Sequence, residues 1–108
     1  NYNLLNLKLS RCGDKGLSIG EKSNVKLNTI KIDNSNIGIA TKDSSILKLN
    51  KAYLKNLQTC IAAYNKKQEF EGGFVKINYL QCENYSRQVD VDNFSKIILN
   101  GKQLTNSN

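Results

Sequence analysis

Apolar and polar residues alternate along most of the chain. The alternation is clearest in Val25-x-Leu27, Ile30-x-Ile32 and Ile37-x-Ile39, and a period of two is typical of β-strands, whose successive side chains point to opposite faces. Asn, Ser or Gly separates these apolar pairs, so that three short strands fit within about 22 residues. The pattern therefore predicts an all-β fold.

The alternating segments recur at a fixed interval. Two columns, made of Asn except for one Cys, each show successive separations of 22, 22, 28 and 22: Asn6, Asn28, Asn50, Asn78 and Asn100, and then Cys12, Asn34, Asn56, Asn84 and Asn106. The six extra residues of the third interval fall within 66–73, "KKQEFEGG", which is polar and ends in two glycines, as a loop insertion does. A single repeat of 22 residues thus accounts for both columns.

Apolar residues share this register. They align as Val25/Leu47/Val75/Ile97, Leu5/Leu27/Leu49/Ile77/Leu99, Ile30/Ala52/Leu80, Ile32/Leu54/Cys82/Leu104 and Leu17/Ile39/Ile61/Val89. The first repeat slips by one residue between positions 6 and 12, where Leu7 and Leu9 fill the apolar positions. Stacked repeats bury such columns, which a single repeat cannot do, whereas a β-sandwich gives no reason for them. We predict one domain, 1–108, built as a parallel β-solenoid of about five coils.

Asn is abundant, with sixteen copies, although it is a poor residue for helix interiors and ordinary strands. At the corner of a solenoid the backbone needs a positive φ, which Asn tolerates better than most residues. Stacked Asn side chains can also hydrogen-bond amide to amide along the axis. We therefore assign both Asn columns to structure and none of these residues to catalysis.

The columns, the 22-residue period and the Asn corners resemble the right-handed parallel β-helix proteins, the superfamily that includes pectate lyases. The segments 14–28, 34–50 and 60–70 are similar to uncharacterised bacterial β-helix repeat proteins. The resemblance covers nearly the whole chain and implies a right-handed parallel β-helix, but this fold hosts many activities. Because such proteins are usually longer and are secreted or on the cell surface, the resemblance also implies a fragment of a longer solenoid in that location.

The formal net charge of +7 is compatible with an anionic partner, namely an acidic polysaccharide, nucleic acid or a lipid surface, and equally with an ordinary well-solvated surface. Most of the basic excess lies in residues 1–67, and a basic surface of this kind suits an acidic polysaccharide. We do not expect nucleic acid as a partner, because the chain carries no recognised nucleic-acid-binding module. We expect no membrane span, because no apolar run approaches about 20 residues.

The chain has no His and three Cys. The lack of His excludes a Ser-His-Asp triad or a Cys-His nucleophile formed by this chain alone, and no CxxC pair supports a zinc site. We accordingly expect no metal and no cofactor. A disulfide would most easily join neighbours in one column, but Cys12, Cys60 and Cys82 lie in different columns, and we interpret Cys82 as a small core residue.

One surface strip combines residue types that could bind a sugar acid. It follows the column that contains Leu17, Ile39 and Ile61, where the chain turns outward and neighbouring coils would lie about 4.8 Å apart. In such a site, lysines contact carboxylates, an aromatic ring stacks on the sugar and acids contact hydroxyls. The candidate ligand-binding residues are Glu21, Lys22, Lys42, Asp43, Tyr64, Lys66 and Lys67.

Three functions remain open from the sequence. The first is a non-catalytic β-helix module, a scaffold with a carbohydrate-contacting surface in a larger bacterial surface or polysaccharide-related protein. The second is a fragment of a polysaccharide lyase or epimerase that acts on acidic glycans. The third is a structural solenoid that joins the rest of a longer β-helix or associates with itself end to end. The sequence favours the first, because Glu21 and Asp43 alone would make a weak Ca²⁺ site of the kind that pectate lyases use.

Overall fold

The computed structural model describes residues 6–20, 22–65 and 72–106. In these residues it contains no helix and six strands, namely β1 (Asn6–Ile19), β2 (Asn24–Lys42), β3 (Ile46–Tyr64), β4 (Phe74–Val91), β5 (Lys96–Leu99) and β6 (Lys102–Leu104). The strands form one sheet in sequence order. All neighbours pair in parallel except β5 and β6, which are antiparallel. The all-β prediction and the prediction of parallel pairing are therefore confirmed.

The pairing register follows the predicted columns. Leu27 pairs with Leu49, Leu49 with Ile77 and Ile77 with Leu99. The offset is 22 residues between β2 and β3 and 28 between β3 and β4, as the predicted insertion requires. Of the predicted loop 66–73, only the two glycines lie within the described residues. The predicted slip in the first repeat is confirmed by a register shift between Ser10 and Gly13.

The long strands bend at the second Asn column. A straight strand of 19 residues, the length of β2 and β3, would extend about 60 Å, yet the longest dimension of the molecule is 35 Å. Asn34, Asn56 and Asn84 lie within β2, β3 and β4 and have φ values of 65°, 60° and 54°. Asn is one of the few non-glycine residues that adopts this left-handed conformation readily. This column therefore supplies the bends, as predicted.

The first Asn column stabilises the sheet in another way. The Nδ2 groups of Asn28, Asn50 and Asn78 donate to the Oδ1 atoms of Asn6, Asn28 and Asn50 over 3.1, 3.0 and 3.2 Å. This ladder confirms the predicted amide stacking. The expectation that these residues also turn the chain with a positive φ is wrong for Asn28, Asn50 and Asn78, and within this column only Asn100 has one.

The inward-facing columns form one apolar core. Its fully buried side chains include Ile30, Ile32, Ile39, Leu47, Leu49, Leu54, Ile61, Val75, Ile77 and Ile97. Leu104 departs from the prediction, because it does not stack on Cys82 but pairs with Ile97 in the antiparallel β5–β6 hairpin. Asn100 and Gly101 form the hairpin turn with φ values of 50° and 81°, the conformation that favours an Asn-Gly pair at a two-residue turn.

Cys60 and Cys82 form a disulfide with a Cα–Cα distance of 6.6 Å. Cys82 packs against the core, as its interpretation as a small core residue requires, but the columns gave no support for this bond, and on that point the sequence prediction is wrong. The bond crosses the interior from one column to another. A Cβ placed on Gly38, which shares the column of Cys60, would lie 3.2 Å from Cδ1 of Leu54, which shares the column of Cys82. The disulfide thus joins two columns that already face each other one strand earlier.

Leu49→Ala should lower the free energy of unfolding by about 2–5 kcal/mol, because it leaves a cavity in the centre of the stacked columns. Leu49 has no exposed surface. Urea unfolding, followed by circular dichroism, measures the change, and Gln58→Ala at an exposed position is the control. Equal midpoints for the two variants would contradict the inward orientation of this column.

Asn56→Ala should be less stable than Asn56→Gly by about 1 kcal/mol. Both variants lose the hydrogen bonds of the Asn56 side chain with Asp33 and Asn84, so their difference reports the cost of a Cβ at a positive φ. Parallel urea titrations measure it. Equal stability of the two variants would show that position 56 does not require the left-handed conformation.

Reduction of the Cys60–Cys82 disulfide should lower the free energy of unfolding by about 3 kcal/mol, because the bond closes a loop of 22 residues in the unfolded chain. Urea unfolding with and without a phosphine reductant tests this. The Cys60→Ser/Cys82→Ser variant, which retains Cys12, is the control and should not respond to the reductant. A wild-type chain that is equally insensitive would contradict the disulfide.

Candidate functional site

The outward-facing residues between the two Asn columns form a flat surface across β1–β4. Strand pairing arranges them in rows: Thr29, Lys51 and Tyr79; then Lys8, Lys31, Tyr53 and Gln81; then Asp33, Lys55 and Glu83. They alternate along the strands with buried residues such as Ile30, Ile32 and Leu54, and therefore point away from the core. We call this surface the Tyr–Lys face, after Lys8, Lys31, Lys51, Lys55, Tyr53 and Tyr79.

Two tyrosines lie at the centre of the Tyr–Lys face. The ring centroids of Tyr53 and Tyr79 are 5.9 Å apart, and the ring planes are tilted by 56°. The Nζ atom of Lys31 lies 5.8 Å from the centroid of the Tyr53 ring, a cation–π arrangement. Tyr79 remains 48% exposed. The face therefore presents one accessible aromatic ring beside a ring that holds a cation.

The carboxylates of the Tyr–Lys face accept hydrogen bonds from amides. Asn56 Nδ2 donates to Asp33 Oδ1 over 2.8 Å, and Gln81 Nε2 donates to Glu83 Oε2 over 2.8 Å. The ion pairs identified within the described residues, Lys15–Asp14 and Arg87–Asp90, lie outside this face. The four lysines of the face are thus placed to interact with an external anion.

A shallow groove crosses the strands of the Tyr–Lys face. One wall is formed by Lys8, Lys31, Tyr53 and Gln81, the other by Asp33, Lys55 and Glu83, and Leu9, Ile32 and Leu54 lie between the two walls. Because each wall takes one residue from each successive strand, the groove runs in the direction in which the strands stack. An extended chain lying in it would meet a new pair of side chains at about every 4.8 Å.

A second shallow groove runs alongside the first, over the bends of β2, β3 and β4. It is lined by Asn34, Ser35, Asn36, Asn56, Leu57, Gln58, Asn84, Tyr85 and Ser86. The lining carries amides and hydroxyls and no charged group, and Tyr85 is 43% exposed. The row of Asp33, Lys55 and Glu83 separates this neutral groove from the charged one.

The strip predicted from the sequence is a stack of turns. The N–H groups of Ser23, Ser45 and Ser95 donate to the carbonyl oxygens of Gly20, Lys42 and Asp92 over 3.4, 3.2 and 3.4 Å, which closes three equivalent turns. Backbone bonds also join the stack along its axis, from Lys22 N to Asp43 O over 3.0 Å and from Asp43 N to Tyr64 O over 3.3 Å.

The structure brings part of the predicted strip together. Lys42 pairs with Tyr64 in adjacent strands, and Lys22 is exposed. The side chain of Asp43, by contrast, is not at the surface, because this residue is only 1% exposed. The remaining predicted residues, Glu21, Lys66 and Lys67, lie outside the described residues. The strip as described is mainly a hydrogen-bonded structural element.

Lys15 and Asp14 lie near the strip and were missed by the sequence prediction. Lys15 Nζ donates to Asp14 Oδ2 over 2.9 Å. This hydrogen bond raises the pKa of Lys15, and electrostatic interactions with Tyr64 and with the Asp14 carboxylate raise that pKa further. Tyr64 therefore interacts electrostatically with a residue of β1, although it is part of β3.

The sequence also offered a signal for the Tyr–Lys face that the prediction did not use. The segment Lys51-Ala-Tyr53-Leu-Lys55 alternates basic or aromatic residues with apolar ones, and the same outward positions hold Lys8 and Lys31 in the preceding repeats. These outward residues follow the same pairing register as the core columns.

Within the described ranges, no three Cys, Asp or Glu residues cluster in a way that could hold a metal ion. No described helix is long and apolar enough to cross a membrane. Comparison of the chain with protein family models, with curated proteins and with solved structures finds no match.

Proposed function

We propose that the sheet winds into a right-handed parallel β-helix in which β1–β4 form successive coils. Three observations support the winding: the sequential parallel pairing, the 22-residue offset and the bends at Asn34, Asn56 and Asn84. The right hand is supported by the strong preference of parallel β connections for that hand. The C-terminal part does not complete a fifth coil, because β6 turns back along β5.

We propose that this β-helix is a non-catalytic module that binds an acidic polysaccharide on the Tyr–Lys face. The observation that carries the proposal is the pair Tyr53–Tyr79 with Lys31 over one ring and further lysines on adjacent strands. Aromatic rings stack on the apolar faces of sugars, and ammonium groups attract their carboxylates. A glycan lying along the groove would place its carboxylates near several lysines and one of its sugar rings against Tyr79.

The spacing of the lysines suits a polymer rather than a small ligand. Lys8, Lys31 and Lys51 or Lys55 belong to three successive strands, which lie about 4.8 Å apart. Single exposed charge contacts contribute only about 0.2–1 kcal/mol each, so useful affinity requires several at once. An extended polyanion can supply them along the groove.

The ring geometry favours a glycan over single-stranded nucleic acid. Proteins that bind such strands stack successive bases on open aromatic faces. Here one face of Tyr53 is covered by Lys31, and Tyr79 leans against Tyr53 at 56°. A single exposed ring among lysines offers less stacking area for bases than this mode uses, but it is sufficient for one sugar ring.

Tyr79→Ala should weaken binding to polygalacturonate about threefold to tenfold, because it removes the aromatic contact, and Lys31→Gln should weaken it about twofold to fivefold, because it removes one exposed charge contact. Isothermal titration calorimetry at low salt measures the affinity. Lys96→Gln is the matched control, because it removes one exposed positive charge at the row of Phe74, five residues before Tyr79 along β4, and it should bind as the wild type does.

The choice of ligands separates the outcomes of this experiment. Methyl-esterified polygalacturonate keeps the sugar rings but loses the charge and should bind much more weakly. Equal affinity for the esterified polymer, or tighter binding of single-stranded RNA, would reject an acidic glycan as the ligand. Ultraviolet absorbance from an unsaturated product would instead show that the chain is a lyase.

A further inference from the structure

Among the described residues, no strand lies beside one long edge of the sheet. β5 pairs only with Phe74–Ile77 of β4, and in the described part of the chain no strand pairs with the outer edge of residues 79–90. The apolar side chains of this part of β4 are more exposed to solvent than their row partners in β3. Leu80 and Cys82 are half-buried, whereas Ala52 and Leu54, which pair with them, are 0% and 2% exposed.

The C-terminal residues occupy only the border of this edge. β6 runs back along β5, and the Asn106 side chain binds the backbone of Val91, with Val91 N donating to Oδ1 over 2.8 Å and Nδ2 donating to Val91 O over 3.0 Å. The Asn106 amide thus provides hydrogen-bond partners for both the N–H and the C=O of Val91, the last residue of β4. No described residue pairs with the stretch from Tyr79 to Asp90, which is an extended template for a further strand.

The opposite edge of the sheet matches this stretch in length and register. β1 pairs with β2 from Asn6↔Thr29 to Ile19↔Thr41. The same rows continue through β3 to Tyr79 and Val91 of β4. Within the described residues, β1 therefore spans the rows that β5 leaves uncovered on β4.

We propose that copies of this chain associate head to tail, with β1 of one copy pairing in parallel with Tyr79–Asp90 of the next. The three apolar columns would then continue across the junction. Leu7 would stack on Leu80, Leu9 on Cys82 and Leu17 on Val89, in the order in which their row partners stack within one chain. Leu7, Leu9 and Leu17 are only partly buried in a single copy, so the junction covers apolar surface on both sides.

Charge also favours this pairing over the pairing of two like edges. β1 has a formal charge of +2, from Lys8, Arg11, Lys15 and Asp14. Residues 79–90 have a formal charge of −1, from Arg87, Glu83 and Asp90. Two β4 edges would bring like net charges together, whereas β1 against β4 joins edges of opposite net charge, although Lys15 and Arg87 would share a row. The contact is heterologous and leaves a free edge at each end, so it can repeat.

The test uses the full chain and measures mass by sedimentation velocity from micromolar to near-millimolar concentration. The wild type should grow beyond a dimer without reaching a fixed size. Leu80→Lys blocks one edge and Leu7→Lys blocks the other, because each places a charge in a column that the junction would bury. Each variant alone should stay monomeric, and an equimolar mixture should form dimers and nothing larger, since one intact edge of each kind remains.

Ile98→Lys is the matched control. Ile98 is half-buried at the outward position that Lys26, Lys48 and Lys76 hold in earlier repeats, and this variant should associate as the wild type does. Glu83→Lys, at an exposed position, changes the formal charge of residues 79–90 from −1 to +1. It should raise the concentration for half-maximal association several-fold, and added salt should then strengthen the contact with β1 instead of weakening it. This variant keeps the test decisive if either Leu variant fails to fold.

A wild-type chain that stays monomeric to near-millimolar concentration would overturn the proposal. So would a dimer that forms equally well with Leu7→Lys, because that result indicates two β4 edges in a closed pair. No glycan is present in this experiment, so its outcome does not depend on the Tyr–Lys face.

Discussion

In-register parallel pairing at a fixed offset is the constraint on which the rest of this structure depends. Because each strand pairs row by row with the next, a residue at one position meets residues of equal position above and below it, at about 4.8 Å. The sequence must then place compatible residues in every row. Apolar rows become the core, the Asn28, Asn50 and Asn78 row becomes a ladder of amide hydrogen bonds, and residues with positive φ recur where the strands bend.

The same constraint limits what the surface can carry. Lys26, Lys48 and Lys76 are stacked as direct neighbours, although two like charges about 4 Å apart repel by about 1 kcal/mol even in water. The Tyr–Lys face avoids much of this cost because its rows are mixed. Lys55 lies between Asp33 and Glu83. Lys31 has Lys8 on one side, but on the other side it has the ring of Tyr53, which attracts it. Differences between repeats, rather than the repeat itself, therefore create the surface that is suited to a ligand.

The sequence predicted the contacts between equal positions of successive strands, but it did not predict the contacts between different columns across the interior. The columns, the slip near Gly13 and the 28-residue interval all follow from comparing equal positions. The disulfide could not be predicted in this way, because Cys60 and Cys82 belong to two different columns that face each other through the interior. The period of the sequence does not show which columns face each other. The reversal at the C-terminus had a local signal in Asn100-Gly101, but the period suggested that the last repeat would continue. Among the predicted site residues, Asp43 is buried because the turn that contains it is stacked within the sheet.

The two proposals are coupled through the direction of the rows. The groove of the Tyr–Lys face runs along the stack, and its walls end at Gln81 and Glu83 on the open edge of β4 and begin at Lys8 on β1. A junction between copies would place Lys8 of one chain next to the row position of Gln81 in the other, so the groove would continue from copy to copy. A polyanion long enough to cross the junction would then bind two copies better than one, and it would favour association by its differential affinity. Short and long fragments of one glycan would consequently have different effects on assembly, although each sugar makes the same contacts.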